Sequence, residues 1–230
     1  MSKAILVCGF GTGISKAVAE KFGAEGFSVG LVARNAERLA AAVRALGEKG
    51  LKAEGFAADL SDPSAAAAVV ERARKALGPL TVVHWNAYGA GAGDLMEADS
   101  AAIRGALDVA TTSLLATLRA ALPDLRSQAG QGALLVTNGG LAYSNTNIDK
   151  MAVEHSSMGL ALANAAKHKL VGMLAQKLAR DGVYVGEVVV MGLVKGTAFD
   201  RGSATLEPSR IADKFWALYR ARTDVSADVG

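Results

Sequence analysis

Short apolar runs alternate along the chain with segments whose apolar residues recur at helical spacing. Ala4 to Cys8 (A-I-L-V-C) has the length of a buried strand, and Ile14, Val18 and Phe22 then share one face of an amphipathic helix. Ser28 to Ala33 reads as a second strand, before a helix striped by Leu39, Val43 and Leu46. Ala53 to Ala58 is a third strand, and Pro63 opens an Ala-rich helix. Leu80 to Trp85 is the fourth. Ser100 is placed as the cap of a long helix carrying Ile103, Leu107, Leu114, Leu118 and Leu122, which stops before Pro123. Ala133 to Thr137 is the fifth strand, ending in Asn138-Gly139-Gly140. An irregular polar stretch, Tyr143 to Asp149, precedes a single helix from about Met151 to Arg180. Val183 to Val190 is the sixth strand; Lys195 to Glu207 reads as loop and Ile211 to Tyr219 as a last short helix. No full seventh strand is expected after Tyr219. Strictly alternating strands and helices predict one α/β domain over residues 1–230, a doubly wound parallel sheet between two helical layers.

The first strand runs into three glycines, Gly9, Gly11 and Gly13, before the helix at Ile14. Such a turn lets the backbone approach a pyrophosphate, and a helix N-terminus offers free N–H groups and partial positive charge. About twenty residues on, where an acidic side chain would hold a ribose 2′-hydroxyl, the second strand ends in Arg34 and Asn35. A basic residue there accommodates the 2′-phosphate of NADP; the alternative is a solvated loop arginine, with Asn35 capping the next helix.

The spacing Gly9-x3-Gly13-Ile14 resembles the short-chain dehydrogenase/reductase family, whose usual form is T-G-x3-G-I-G; Cys8 and Ser15 replace its Thr and last Gly. The resemblance spans nearly the whole chain and implies a Rossmann-like fold and hydride transfer between a nicotinamide and a carbonyl or alcohol. It implies that Asp59 meets the adenine edge with Leu60 beside it, although Asp59, Ser61 or Asp62 could equally cap the helix at Pro63. Asn86-Ala87-Tyr88-Gly89 resembles the family's N-N-A-G stretch. Asn86 and Ala87 are thereby placed beside the cofactor ribose, and Tyr88 adds bulk there or is simply a loop aromatic. Thr12 stands where many NADP users carry a second basic residue, so the NADPH preference rests mainly on Arg34. Past the sixth strand, Gly192 matches the family's P-G turn, and Thr197 is a candidate hydroxyl for the carboxamide or pyrophosphate, or an ordinary loop residue.

The family's catalytic set is absent on this alignment. Counting back from Leu178-Ala179-Arg180-Asp181-Gly182, the Lys position falls on Asn164 and the Tyr position on Leu160. The Ser position falls on Gly139 and the Asn position on Ala110. Asn164 keeps the capacity to hydrogen-bond ribose hydroxyls without charge. Tyr143 lies in a loop expected to face the nicotinamide. His155 reads as a surface or packing residue, and Lys167 and His168 as solvated or interface groups. No catalytic residue is assigned. A divergent NADP(H)-binding oxidoreductase for a carbonyl, alcohol or enone, and a silent NADP(H)-binding sensor or partner subunit, both fit these residues. Trp85, next to Asn86, is expected to report an occupied cleft by fluorescence quenching.

Composition narrows the partners. The 230 residues are 51% hydrophobic and 5% aromatic with net charge +3, and no basic run argues for nucleic acid. The one cysteine, Cys8, excludes an intrachain disulfide and a cysteine-based zinc site, no metal is expected, and a reducing cytoplasm fits. The N-terminal apolar run is too short for a signal peptide, and no stretch is read as a membrane span. A small-molecule substrate or ligand is expected. The family's usual helix pairing, with the apolar segments Leu114 to Leu122 and Leu160 to Leu178, implies a homodimer or homotetramer.

Overall fold

The computed structural model describes residues 3–89, 92–128 and 130–230. Seven parallel strands form one sheet in the order β3-β2-β1-β4-β5-β6-β7. The strands are β1 (Lys3–Cys8), β2 (Phe27–Ala33), β3 (Ala53–Ala57), β4 (Val82–Trp85), β5 (Ala133–Gly139), β6 (Tyr184–Val190) and β7 (Ser226–Val229). The helices are α1 (Ile14–Ala24), α2 (Ala36–Glu48), α3 (Pro63–Leu77), α4 (Ser100–Leu107), α5 (Ser113–Ser127), α6 (Thr146–Glu154), α7 (Met158–Leu178) and α8 (Pro208–Ala221). The strand order reverses between β1 and β4, where Ile5 pairs with Val82 and Cys8 with Trp85. At that reversal the connections leave the sheet in opposite directions and open a crevice beyond the strand ends.

Alternate residues of each central strand feed two apolar layers. Leu6, Cys8, Val83, Trp85, Leu134 and Val136 meet the α3, α5 and α7 side. Ile5, Val7, Val82, Leu135 and Val188 meet the α1 and α8 side. This double burial is why the strands read as predominantly apolar runs. On the second face Phe22, Phe27, Trp216 and Tyr219 stack edge-on and tilted, with ring centroids 5.2–6.3 Å apart, and pin α8 to α1.

Five expectations need correction. A seventh strand is present, pairing Glu187 with Ser226 through Val190 with Val229; it is short and half polar, so no apolar run announces it. The helix at 100–127 is capped by Asp99, whose side chain accepts from Ala102 N, and not by Ser100. It also does not stop at Pro123: after a π-helical turn (Asp108–Thr112), α5 continues to Ser127. The carboxylate of Asp124 accepts from Arg74 Nε at 2.8–3.0 Å and from Leu80 N at 3.2 Å, and these tertiary bonds hold the last turn despite the proline. The segment Met151 to Arg180 is two helices, parted at His155–Ser157. Gly159 abuts the segment between β4 and α4 so closely that a Cβ would sit 1.7 Å from Ala92 O. Lastly, the helical run Ser100–Ser127, mean hydropathy 1.2, is long and apolar enough to cross a membrane by length and composition. In the fold its Leu114, Leu118, Ala121 and Leu125 are buried in the domain core.

Candidate active site and cofactor cleft

The glycine turn, β2, the segment after β4 and the loop after β6 converge on the crevice. Gly9 (φ +82°) brings the turn against the β4 extension so tightly that a Cβ would lie 2.5 Å from Ala87 N. Asn86 ties this contact: its Nδ2 donates to Gly9 O at 3.1 Å and its N to Cys8 O at 2.8 Å. The turn folds back on β2, with Gly9 N and Phe10 N both donating to Val32 O. Gly11 is exposed, with nothing within 4 Å of a Cβ position. Gly13 precedes α1, which has no side-chain cap, so backbone N–H groups are left for an external anion. Ile14 is half-buried behind them.

The β6–α8 loop lies over this turn. Thr12 Oγ1 donates to Gly196 O at 2.6 Å, and Thr197 Cγ2 would be 2.5 Å from a Cβ on Gly13. Thr197 Oγ1 itself donates to Val194 O at 2.8 Å, leaving its lone pairs for another donor. Tyr88 and Phe199, both exposed, approach with ring centroids at 5.4 Å and join the two loops.

Arg34 is exposed at the end of β2, and its charge contributes to lowering the Asp59 carboxyl, after the hydrogen bonds from Ser61 N and Oγ. Asn35 caps α2, its Oδ1 accepting from Arg38 N at 2.8 Å. Asp59 is exposed, whereas Leu60 is buried in the core layer under α3. Asp62 is the residue that caps α3.

At the other end, Asn164 is buried and its Nδ2 lies 3.1 Å from a Cβ position on Gly139. Asn164, and not Lys167, is thus the residue of α7 that meets the end of β5. Its main-chain oxygen accepts from Asn138 Nδ2 at 3.1 Å. Ala110 sits in the π-helical turn, packed with Ala92, Ala106 and Ala163. A Cβ on Gly140 would meet Met191 Sδ at 2.9 Å.

Three further expectations are overturned. Trp85 is wholly buried in the α3–α5 layer, so its ring does not face the cleft. Tyr143 turns to β7, donating to Asp228 Oδ1 at 2.6 Å, and burial and that carboxylate push its phenol up to about 12. Lys167 and His168 are not both solvated. Lys167 is 3% exposed, and burial lowers its ammonium to about 8 against the opposing pull of Glu187. His168 Nδ1 contacts Glu187 Oε1. Glu187, in the middle of β6, was legible only as a lone acid in a valine-rich strand; a wholly buried carboxylate there demands partners.

A family model described as short chain dehydrogenase matches residues 3–205. A protein of Streptomyces violaceoruber, named as a ketoacyl reductase of the granaticin polyketide synthase, is 32% identical over 190 residues. That match covers 80% of this chain and 65% of the relative, so the chain spans just under two thirds of its length. A solved metagenomic short-chain oxidoreductase in complex with NADP is 26% identical with TM-score 0.80, over 99% of this chain and 95% of that one. The NADPH-bound short chain oxidoreductase of Pseudomonas aeruginosa PAO1, described as containing an atypical catalytic center, superposes with TM-score 0.85 at 24% identity. It covers 98% of this chain and 94% of its own, and shows the fold. The chain belongs to the short chain dehydrogenase family of oxidoreductases.

The residues present fit a nicotinamide dinucleotide: an open glycine turn and an uncapped helix N-terminus. When bound, such a cofactor supplies a hydride. In a turnover the chain's own part would be to seat it and to protonate the oxygen that the hydride transfer charges. For the second task Leu160 and Gly139 offer no proton, and the Tyr143 phenol is held by Asp228.

Proposed function

We propose that this chain is an NADPH-preferring oxidoreductase acting on a carbonyl, alcohol or enone with non-standard catalytic residues. The observation that carries it is the open glycine turn with Arg34 exposed at the adjacent strand end, where a 2′-phosphate would lie. The NADP in the metagenomic relative supports it. Gly9, Gly11, Thr12, Gly13 and Ile14 would hold the pyrophosphate, Arg34 and Asn35 the 2′-phosphate, Asp59 and Leu60 the adenine side. Asn86, Ala87, Asn164 and Thr197 would meet the ribose and nicotinamide side. A ketoacyl compound is the first substrate to try, given the named activity of the Streptomyces relative. A second reading, a protein that holds NADP(H) without turnover, is favoured by Leu160 at the family's tyrosine position and by Tyr143 turned away.

The test follows the nicotinamide's own emission during titration with NADPH and NADH, since Trp85 is sealed from the cleft. NADPH should bind more tightly, and Arg34→Ala should erase most of the preference, about tenfold for one charge-assisted contact. Equal affinity of the wild type for both cofactors refutes the Arg34 assignment. Single-turnover oxidation of bound NADPH by a carbonyl and enone panel separates the enzyme from the silent binder.

We further place the protein in a reducing cytoplasm, without nucleic-acid or membrane partners, as a homodimer or homotetramer. Free, buried Cys8 supports the compartment, and exposed Leu162 and Met173 on α7 support self-association. Sedimentation as a monomer at micromolar concentration would refute the last.

A further inference from the structure

Glu187 is wholly buried although it carries a carboxylate, and its partners come from two other elements. Oε2 accepts from Asn138 Nδ2 at 3.1 Å, Oε1 meets His168 Nδ1, and the Lys167 ammonium lies within its field. Asn138 is itself buried and saturated. Its second N–H points to the main-chain oxygen of Asn164 at 3.1 Å, and its Oδ1 accepts from Gly139 N at 3.1 Å. Flipping this amide would set its oxygen against a carboxylate and a carbonyl, so its orientation is fixed. One side chain thus fastens the end of β5 to the turn of α7 that carries Asn164, and the Glu187 carboxylate holds that side chain in place.

The geometry points to Glu187 as a positioning residue of the cofactor cleft, acting through Asn138 to hold Asn164 against the end of β5. This rests on the reading above that Asn164 meets the cofactor. Asn164 Nδ2 is only 3.1 Å from a Cβ position on Gly139, so small slippage of α7 along the sheet would move the amide within the cleft. Groups that must meet a ligand are sensitive to such displacements because a hydrogen bond weakens steeply with distance and angle. A solvent groove between α7 and β7, lined by His168, Val225 and Ser226, runs up to this anchor from outside.

The experiment is a double-mutant cycle on NADPH affinity, read by nicotinamide emission. Asn164→Ala and Glu187→Val are each expected to weaken NADPH about fivefold to tenfold, the effect of one hydrogen bond. In the Asn164→Ala background, Glu187→Val should add less than twofold. Glu187→Gln keeps an acceptor for Asn138 and should restore affinity to within about twofold of wild type. If Glu187→Val does not fold, Asn138→Ala cuts the same link and leaves the carboxylate with His168 and Lys167. It should show the same loss and the same non-additivity. Equal losses in both backgrounds, or no loss from either variant, overturn the assignment and mark a purely structural anchor. Unchanged affinity in Asn164→Ala with weakened affinity in Arg34→Ala overturns it while the cofactor reading stands. A wild type that binds no nicotinamide cofactor overturns both.

Discussion

Lys167 gives the sharpest test of the electrostatics under the cleft. It lies on the sheet-facing side of α7, 3% exposed, and burial lowers its ammonium from the usual 10.5 to about 8, while Glu187 pulls the other way. Each pKa unit is worth about 1.4 kcal/mol, so this displacement corresponds to about 3 kcal/mol of folding free energy. Below pH 8 the lysine is protonated in both states and the folded protein bears the full penalty. Between pH 8 and 10.5 the unfolded chain binds a proton that the folded one has released, so stability rises with pH. Above 10.5 the penalty is gone. The measurement is urea unfolding of the wild type and Lys167→Met from pH 7.5 to 10.5. Tyr143, Asp228, Glu187 and His168 are present in both proteins, so the difference reports Lys167 together with its coupling to Glu187. The wild type should gain about 3 kcal/mol on the variant across that range. A difference that stays flat would show that the ammonium reaches water, and would refute the desolvation argument.

Other substitutions test the packing that shapes the crevice. Gly9→Ala forces a Cβ to 2.5 Å from Ala87 N at φ +82°, and should lower stability by about 3 kcal/mol or more and abolish cofactor binding, read by thermal melts and titration. Asp124→Ala removes the carboxylate that shares the Arg74 Nε proton between its two oxygens and accepts from Leu80 N; a loss of about 2 kcal/mol in urea unfolding is expected, discounted for the partial exposure of Arg74. Gly13→Ala drives a Cβ into the Thr197 methyl at 2.5 Å and should weaken NADPH more than it lowers the melting temperature, because the exposed β6–α8 loop can retreat.

The sheet was legible because parallel strands buried on both faces leave predominantly apolar runs, and β1, β2, β4, β5 and β6 all have them despite single polar residues such as His84 and Glu187. Strand β7 escaped because only four residues, two of them the polar Ser226 and Asp228, form an edge held by backbone pairing to β6, which composition does not encode. Pro123 misled because local propensity was outweighed by the Asp124 carboxylate and its distant partners. At the cleft, Gly9, Gly13, Arg34 and Asn86 lie at strand ends, a placement that short sequence spacing fixes. Side chains whose direction depends on a neighbouring element did not: Trp85 turns inward and Tyr143 turns to β7. The Glu187–Asn138–His168 anchor joins three segments far apart in sequence, and only their assembly shows it.

All pairings in the sheet are parallel, so none is closed by a tight hairpin and each waits for a crossover to fold. The seam between β1 and β4 is the one that completes the crevice, and Gly9 and Asn86 on its two sides are 77 residues apart. Contacts of such separation come late and slowly, with the half-built sheet edges open to aggregation meanwhile. A ligand gripping both sides of the seam has no site until the two halves have met. It therefore acts as a clasp on assembly as well as a stabiliser of the finished fold, and refolding yield should climb with its concentration alongside the melting temperature.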